Sequence, residues 1–121
     1  MPSFDHEKLT VYQHSIRFVV WVDYLLGAIP KSMAVRNQLD RASTSVTLNI
    51  AEGNGKHTGP DRCRYFDIAR GSALECAACL DVLVAKGVIE YATGEMGKKS
   101  LQEIVSMLVG LVRVNSLRRE T

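Results

Sequence analysis

The sequence predicts an all-α fold: an antiparallel up-and-down four-helix bundle in one domain spanning residues 1–121. Apolar residues recur at helical spacing in four successive segments. No period-2 alternation of useful length interrupts them. The connections are short and marked by Pro30, by Gly53, Gly55 and Gly59, and by Gly87. The expected helices cover approximately residues 5–28, 33–52, 59–86 and 94–117.

In the first helix, Ser3 or Asp5 is the expected cap, with acids in the opening turn where they favour the helix dipole. Ile29-Pro30 stops it, because the residue before proline avoids helical geometry. Leu9, Tyr12, Ile16, Val19, Val20 and Leu26 form one apolar stripe. Val11, Phe18, Val22, Leu25 and Ile29 form a second, nearly opposite. A helix apolar on both sides must be covered on both, so one face is expected to meet the bundle and the other a partner.

Ser32 is the expected cap of the second helix, which turns Val35, Leu39, Ala42, Val46, Asn49 and Ile50 to one side. Gly53 is expected to end it in a left-handed cap. Thr58 opens "TGPD", a capping-box-like spacing whose hydroxyl can accept from the Asp61 amide, with Pro60 tolerated in the first turn. The third helix carries Cys63, Phe66, Ala69, Ala73, Cys76, Ala77, Leu80 and Val84 inward, and Gly87 followed by Val88 supplies a left-handed exit. Thr93 is the expected start of a fourth helix, with Leu101, Ile104, Leu108, Leu111 and Asn115 on one face and Val105, Val109 and Val112 beside them. The final "RRET" is expected to fray.

Composition narrows the class. Hydrophobic residues are 46% and charged residues 23%, the balance of a soluble globular chain rather than a disordered one. The net charge of +2 is far from the bias of a dedicated DNA-binding domain. The longest apolar stretch, residues 18–29, is too short to span a bilayer and contains Asp23. Three cysteines without an export signal point to free thiols and a cytoplasmic setting.

The segment "NIAEGNGKHTG", residues 49–59, is the one stretch that suggests a phosphate loop. A dinucleotide fingerprint would need a third glycine where Thr58 stands, and a Walker loop would need Ser or Thr where His57 follows Lys56. Both signatures fail, and the stretch reads as an interhelical turn. Cys76 and Cys79 form C-x-x-C in mid-helix, away from the helix start that lowers a thiol pKa, with no second pair or nearby histidine to complete a zinc site. His6, His14 and His57 pair with no nucleophile. The expectation is a non-catalytic protein without metal or cofactor.

Two polar groups remain. Asn49, Glu52, Arg70, Ser72 and Glu75 suggest a buried hydrogen-bond network, in preference to the alternative of a ligand or polynucleotide site. Antiparallel pairing about the turn would set Glu75 near Arg36 or Gln38 and Arg70 beside Ala42 and Ser43. Gly71, costing about 1 kcal/mol in mid-helix, is expected where a neighbouring backbone comes close. Lys56, His57, Arg62, Arg64 and Arg70 cluster around the turn with Tyr65 and Phe66, and Arg113, Arg118 and Arg119 at the chain end. They are the candidate nucleic-acid-binding edge, whose phosphate contacts would multiply around a symmetric oligomer.

"SVTLNIAEGNGK" followed by "RYFDIARGSALEC" resembles the small four-helix-bundle family first described from open reading frames in intervening sequences of bacterial 23S ribosomal RNA genes. Asn49, Ile50, Ala51, Glu52, Gly53 and Gly55 match its first motif, with Lys56 in place of arginine. Ala69, Gly71, Ser72 and Glu75 match its second, with Phe66 one place closer to Ile68. Pro30 and "LDRASTSV" extend the resemblance over most of the chain. It implies a ring-like homopentamer. The chain is also similar to accessory proteins of diversity-generating retroelements, pentameric barrels that bind nucleic acid and a reverse transcriptase. RNA or DNA, a reverse transcriptase or another protein, and further copies of the chain are the partners it implies.

Overall fold

The computed structural model describes residues 3–117, and the end segment expected to fray lies outside them, as do Arg118 and Arg119. Four α-helices follow a short 3-10 turn: α1 Thr10–Leu26, α2 Ala34–Asn54, α3 Gly59–Ala85 and α4 Tyr91–Ser116. Among the described residues there is no strand, and the four helices pack as a bundle. α3 makes the broadest seams, against α2 on one side and α4 on the other. α1 lies against α2 and more lightly against α4, and its backbone does not come close to that of α3. Phe66, Leu39, Ile50, Leu80, Leu83, Ile104 and Leu108 are fully enclosed between them.

The expected first helix is two elements. Asp5–Lys8 forms the 3-10 turn, and Leu9 adopts extended backbone (φ −74°, ψ 128°) before α1 begins. Neither Ser3 nor Asp5 caps α1. The Glu7 carboxylate instead accepts from the Phe4 amide at 2.7 Å. The Gln13 side chain donates to the Glu7 carbonyl (2.9 Å) and Asn54 to the Asp5 carboxylate (2.9 Å), holding the turn against the end of α2. α1 stops at Leu26, whose carbonyl accepts from the Ile29 amide at 3.1 Å and from the Arg36 guanidinium at 3.2 Å.

The second α1 stripe meets the bundle along its whole length and the first only in part, Leu9 and Tyr12 packing against the core. Val11, Phe18, Val22, Leu25 and Ile29 are buried, together with Leu26 and the polar Ser15. Ile16, Val20 and Tyr24 face outward, Tyr24 at 89% exposure. Ser15 and Thr47 meet inside the α1–α2 seam: Thr47 donates to Ser15 at 3.0 Å, and Ser15 donates to the Tyr12 carbonyl at 2.7 Å. A buried hydroxyl must be hydrogen-bonded, and both are.

Gly53 does not end α2. The helix runs on to Asn54, preceded by Met33 rather than by a Ser32 cap, and Gly87 is the only described residue with positive φ. Gly53 is there for space: a Cβ on it would lie 2.9 Å from Phe66 Cε1 and 3.0 Å from Tyr65 Cβ. Thr58 caps α3 as expected, accepting from the Asp61 amide at 3.3 Å. α3 exits through Gly87 (φ 71°), with the Val88 amide donating to the Leu83 carbonyl and the Gly87 amide to that of Val84, the double bond of a Schellman turn. That compact exit lets α4 start at Tyr91, so Thr93 lies within its first turn.

The register of α2 on α3 also differs from the expected one. Ser45 faces Ser72 (Oγ to Oγ 2.9 Å), which carries Glu75 and Arg70 away from the residues they were expected to meet; Arg70 pairs with Asp67 on its own helix at 3.6 Å. No atom comes within 4 Å of a Cβ built on Gly71, so the close backbone expected there is absent. Gly110 is equally open. Gly110→Ala should therefore raise stability by about 0.5–1 kcal/mol through lower unfolded-state entropy, read as a shift in urea midpoint at constant slope.

Candidate nucleic-acid interface

The candidate edge is built where α2 hands over to α3. The Gly55 amide donates to the Ala51 and Glu52 carbonyls, closing α2, and Thr58 opens α3 after two intervening residues. Lys56 and His57 lie in that link, and Arg62, Arg64 and Arg70 follow on α3.

Proximity in sequence conceals two opposite roles. Arg62 turns inward. Its Nε donates to Asn115 Oδ1 at 2.7 Å, one terminal nitrogen to the Asn54 and Lys56 carbonyls at 2.7 and 3.1 Å, and the other to Asn54 Oδ1 at 3.2 Å. Asn115, 3% exposed, returns a bond to the Leu111 carbonyl at 2.7 Å. A planar guanidinium with five donors in fixed geometry suits such a multi-point clamp. It ties the α2–α3 link to the end of α4, and it occupies donors that a phosphate would need.

The outward pair is Lys56 and Arg64. Lys56 Nζ and the Arg64 guanidinium carbon each lie 5.1 Å from the Tyr65 ring centroid, within cation–π range. Lys56 also reaches Glu52 at 3.3 Å. A pair this exposed is worth little and is screened by salt. His57 is exposed in the link. A shallow depression lined by His6, Leu48, Ala51, Glu52, Gly55 and Lys56 lies beside it. Arg70, two turns further on, is held by Asp67. Arg113 is exposed in the last turn of α4, which the Arg62–Asn115 bond places beside the start of α3.

The remaining singled-out polar residues form a half-buried chain between α2 and α3. Asn49 donates to the Ser45 carbonyl and hydroxyl (2.9 and 3.0 Å), and Ser45 meets Ser72. Glu75 is exposed. Ser45 is the link that sequence reasoning misses, although its position one turn before Asn49 makes it reachable. Asn115 carries a usable signal as a polar residue at an inward helical position.

The cysteines offer no reactive thiol pair. Burial, then Cys79 and Glu75, push the Cys76 thiol up to about 12, and burial raises Cys79 as well, so both hold their protons. Cys63 donates to the Val112 carbonyl at 3.4 Å. Among the described residues no three His, Cys, Asp or Glu side chains are grouped to hold a metal ion, and no helix is long and apolar enough to cross a membrane.

Comparison with known proteins points the same way as the two linked motifs. The family model for the 23S rRNA-intervening sequence protein matches residues 7–110. A solved structure from Bacteroides thetaiotaomicron, described as a protein of unknown function from the S23 ribosomal protein family, superposes with a TM-score of 0.81. It is 23% identical, covering 86% of this chain and 99% of that one, a likeness of fold. No curated protein matches. With the family model spanning the bundle from the 3-10 turn to α4, the chain belongs to the 23S rRNA-intervening sequence protein family.

Proposed function

We propose that this protein is a non-catalytic, cytoplasmic, ring-forming homo-oligomer, a pentamer by its resemblance, that serves as a nucleic-acid-associated scaffold. The observation that carries the nucleic-acid reading is Tyr65 flanked at 5.1 Å by both Lys56 and Arg64. Cations beside an accessible aromatic are the elements from which single-strand grooves are built. One such edge is weak at a net charge of +2. Repeated around a ring, its phosphate contacts add. The outward apolar stripe of α1 supports the oligomer.

The test is binding of single-stranded RNA across a salt series. Lys56→Ala with Arg64→Ala should lower affinity and flatten the slope of log K against log salt by about 0.7 for each phosphate no longer neutralised. Unchanged affinity in this double variant would remove the edge from the reading. Arg62 is left intact, because its replacement would disturb the fold. The exposed Leu48 and Tyr24 favour a second reading, a protein-interaction module with a partner such as a reverse transcriptase; capture that survives nuclease treatment would support it.

A further inference from the structure

We propose that the edge seats a guanine base of a single strand in the depression between the N-terminal 3-10 turn and the α2–α3 link. The inference rests on the nucleic-acid reading above and specifies the nucleotide it takes. The depression, about 440 Å³, is lined by His6 and Lys56, with Leu48, Ala51, Glu52 and Gly55 completing it. Aromatic rings stand on either side. Phe4 and His6 lie nearly parallel, centroids 5.9 Å apart and 7° between planes, and His6 meets the Tyr12 ring edge-to-face at 4.6 Å. Tyr65 lies beyond Lys56, whose ammonium is 5.1 Å from the ring centroid. The surface therefore runs from the Phe4–His6 platform through the depression and Lys56 to Tyr65 and Arg64.

Both platforms are fixed by the fold before any strand arrives. The Asn54 side chain donates to Asp5 Oδ2 at 2.9 Å, which seats the 3-10 turn. Its Oδ1 accepts from the Arg62 guanidinium at 3.2 Å, which seats the start of α3. Arg62 also holds the Lys56 carbonyl at 3.1 Å. One side-chain amide thus sets His6 in place relative to Lys56 and Tyr65, so little ordering remains to oppose binding.

Glu52 selects the base. A carboxylate inside a basic edge repels phosphate, so the depression suits a base and leaves the backbone to Lys56 and Arg64. Lys56 lies 3.3 Å from Glu52 Oε2 and offsets its charge. An ionised carboxylate only accepts, and its two oxygens suit a pair of parallel donors. Guanine is the base whose Watson–Crick edge sets two donors side by side, N1–H and the N2 amino group. Adenine and cytosine place a ring acceptor beside their amino donor. Uracil has one N–H between two carbonyls that the carboxylate repels. Leu48, 63% exposed, and Ala51 give the base an apolar flank. The guanine edge is free only in a single strand, where a base can splay out, stack on an aromatic ring and be read.

The experiment measures binding of the full chain by fluorescence anisotropy at fixed low salt. The probes are a short uridine strand and the same strand with interspersed guanosines. Wild type should bind the guanosine strand about tenfold tighter, the effect of one bidentate pair. Glu52→Gln should lose that preference while holding the uridine strand no less tightly, since a negative charge has gone. His6→Ala should weaken both strands about fivefold through lost stacking, and His6→Phe should restore them. Annealing the guanosine strand to its complement should abolish the preference. Guanosine monophosphate alone should compete weakly, because it cannot reach the second platform. Circular dichroism checks that each variant is folded. A wild type that binds neither strand would overturn the nucleic-acid reading itself. With strand binding intact, three results would overturn the guanine seat alone: equal affinity for both strands, equal tightening of both by Glu52→Gln, or a monophosphate that binds as tightly as the strand.

Discussion

Replacing Arg62 by alanine is expected to lower the melting temperature by roughly 10 °C, while Arg64→Ala changes it little. Among the described residues Arg62 makes four hydrogen bonds from a half-buried position, to two backbone carbonyls and two asparagine side chains. Hydrogen bonds to a charged group contribute about 1.5–3 kcal/mol, and an acceptor left buried without a donor costs about 1–3 kcal/mol. These do not add, because the acceptors form one network and water can reach part of it. A net destabilisation of about 2–4 kcal/mol corresponds to a shift on that scale for a domain of this size. Arg64 lies over the Tyr65 ring from an exposed position, worth about 0.5–1 kcal/mol. Arg62→Lys should recover less than half, since an ammonium cannot reproduce the fork. Thermal melts by circular dichroism would settle the contrast. An unchanged melt for Arg62→Ala would mean that the clamp holds nothing.

Gly97→Val should cost about 3 kcal/mol, opposite in sign to the gain at Gly110. A Cβ at Gly97 would lie 2.5 Å from Trp21 Cη2 and 2.7 Å from Leu80 Cδ1. Trp21 is half-buried at the seam with α1 and has room to swing, but Leu80 is fully enclosed. Overpacking at such a site costs about 1–3 kcal/mol, occasionally more. Helix propensity returns only a few tenths for valine. Gly97→Ala should be destabilising by about 1 kcal/mol net, because the gain in propensity offsets part of the same clash. Denaturant midpoints at constant slope report both. A stabilised Gly97→Ala would show that α1 yields freely at this seam. Gly94 is the companion site, its Cβ position 2.6 Å from Val84 Cγ2, so two glycines let the start of α4 approach α3.

These glycines mark the boundary between what is legible in the sequence and what is not. Helical spacing identifies the inward faces of α2, α3 and α4 because burial imposes a 3.6-residue period on apolar residues, whereas on α1 it yields two stripes without choosing between them. The Thr58 cap and the Gly87 exit are legible because each rests on a local rule of backbone chemistry. Gly53 misleads for the same reason: local rules make a glycine at a helix end a cap, whereas a tertiary contact, the Tyr65–Phe66 approach, explains it. Gly94 and Gly97 carry no sequence signal, because nothing local distinguishes a glycine that is tolerated from one that is required. At the candidate edge the basic residues can be gathered from sequence, but charge alone does not say which way a side chain turns. Arg62 and Arg64 are two residues apart and face different ways, as two such positions of a helix must. The α2–α3 register lies beyond sequence because a turn assumed to begin at Gly53 begins too early, α2 continuing to Asn54.

The Ser15–Thr47 bond has a consequence for the outer surface. α1 is apolar around most of its circumference, so hydrophobic burial alone barely distinguishes one rotational setting from another. Advancing the helix by one residue would turn it by about 100°, setting Tyr12, Val19 and Leu26 where Val11, Phe18 and Leu25 lie but the charged Asp23 where Val22 lies. It would also leave the Thr47 hydroxyl in the seam without its partner, at about 1–3 kcal/mol. The pair therefore acts as an angular key. By fixing which residues of α1 point inward, two small hydroxyls and the charge of Asp23 decide that Ile16, Val20 and Tyr24 are the ones presented to whatever lies outside.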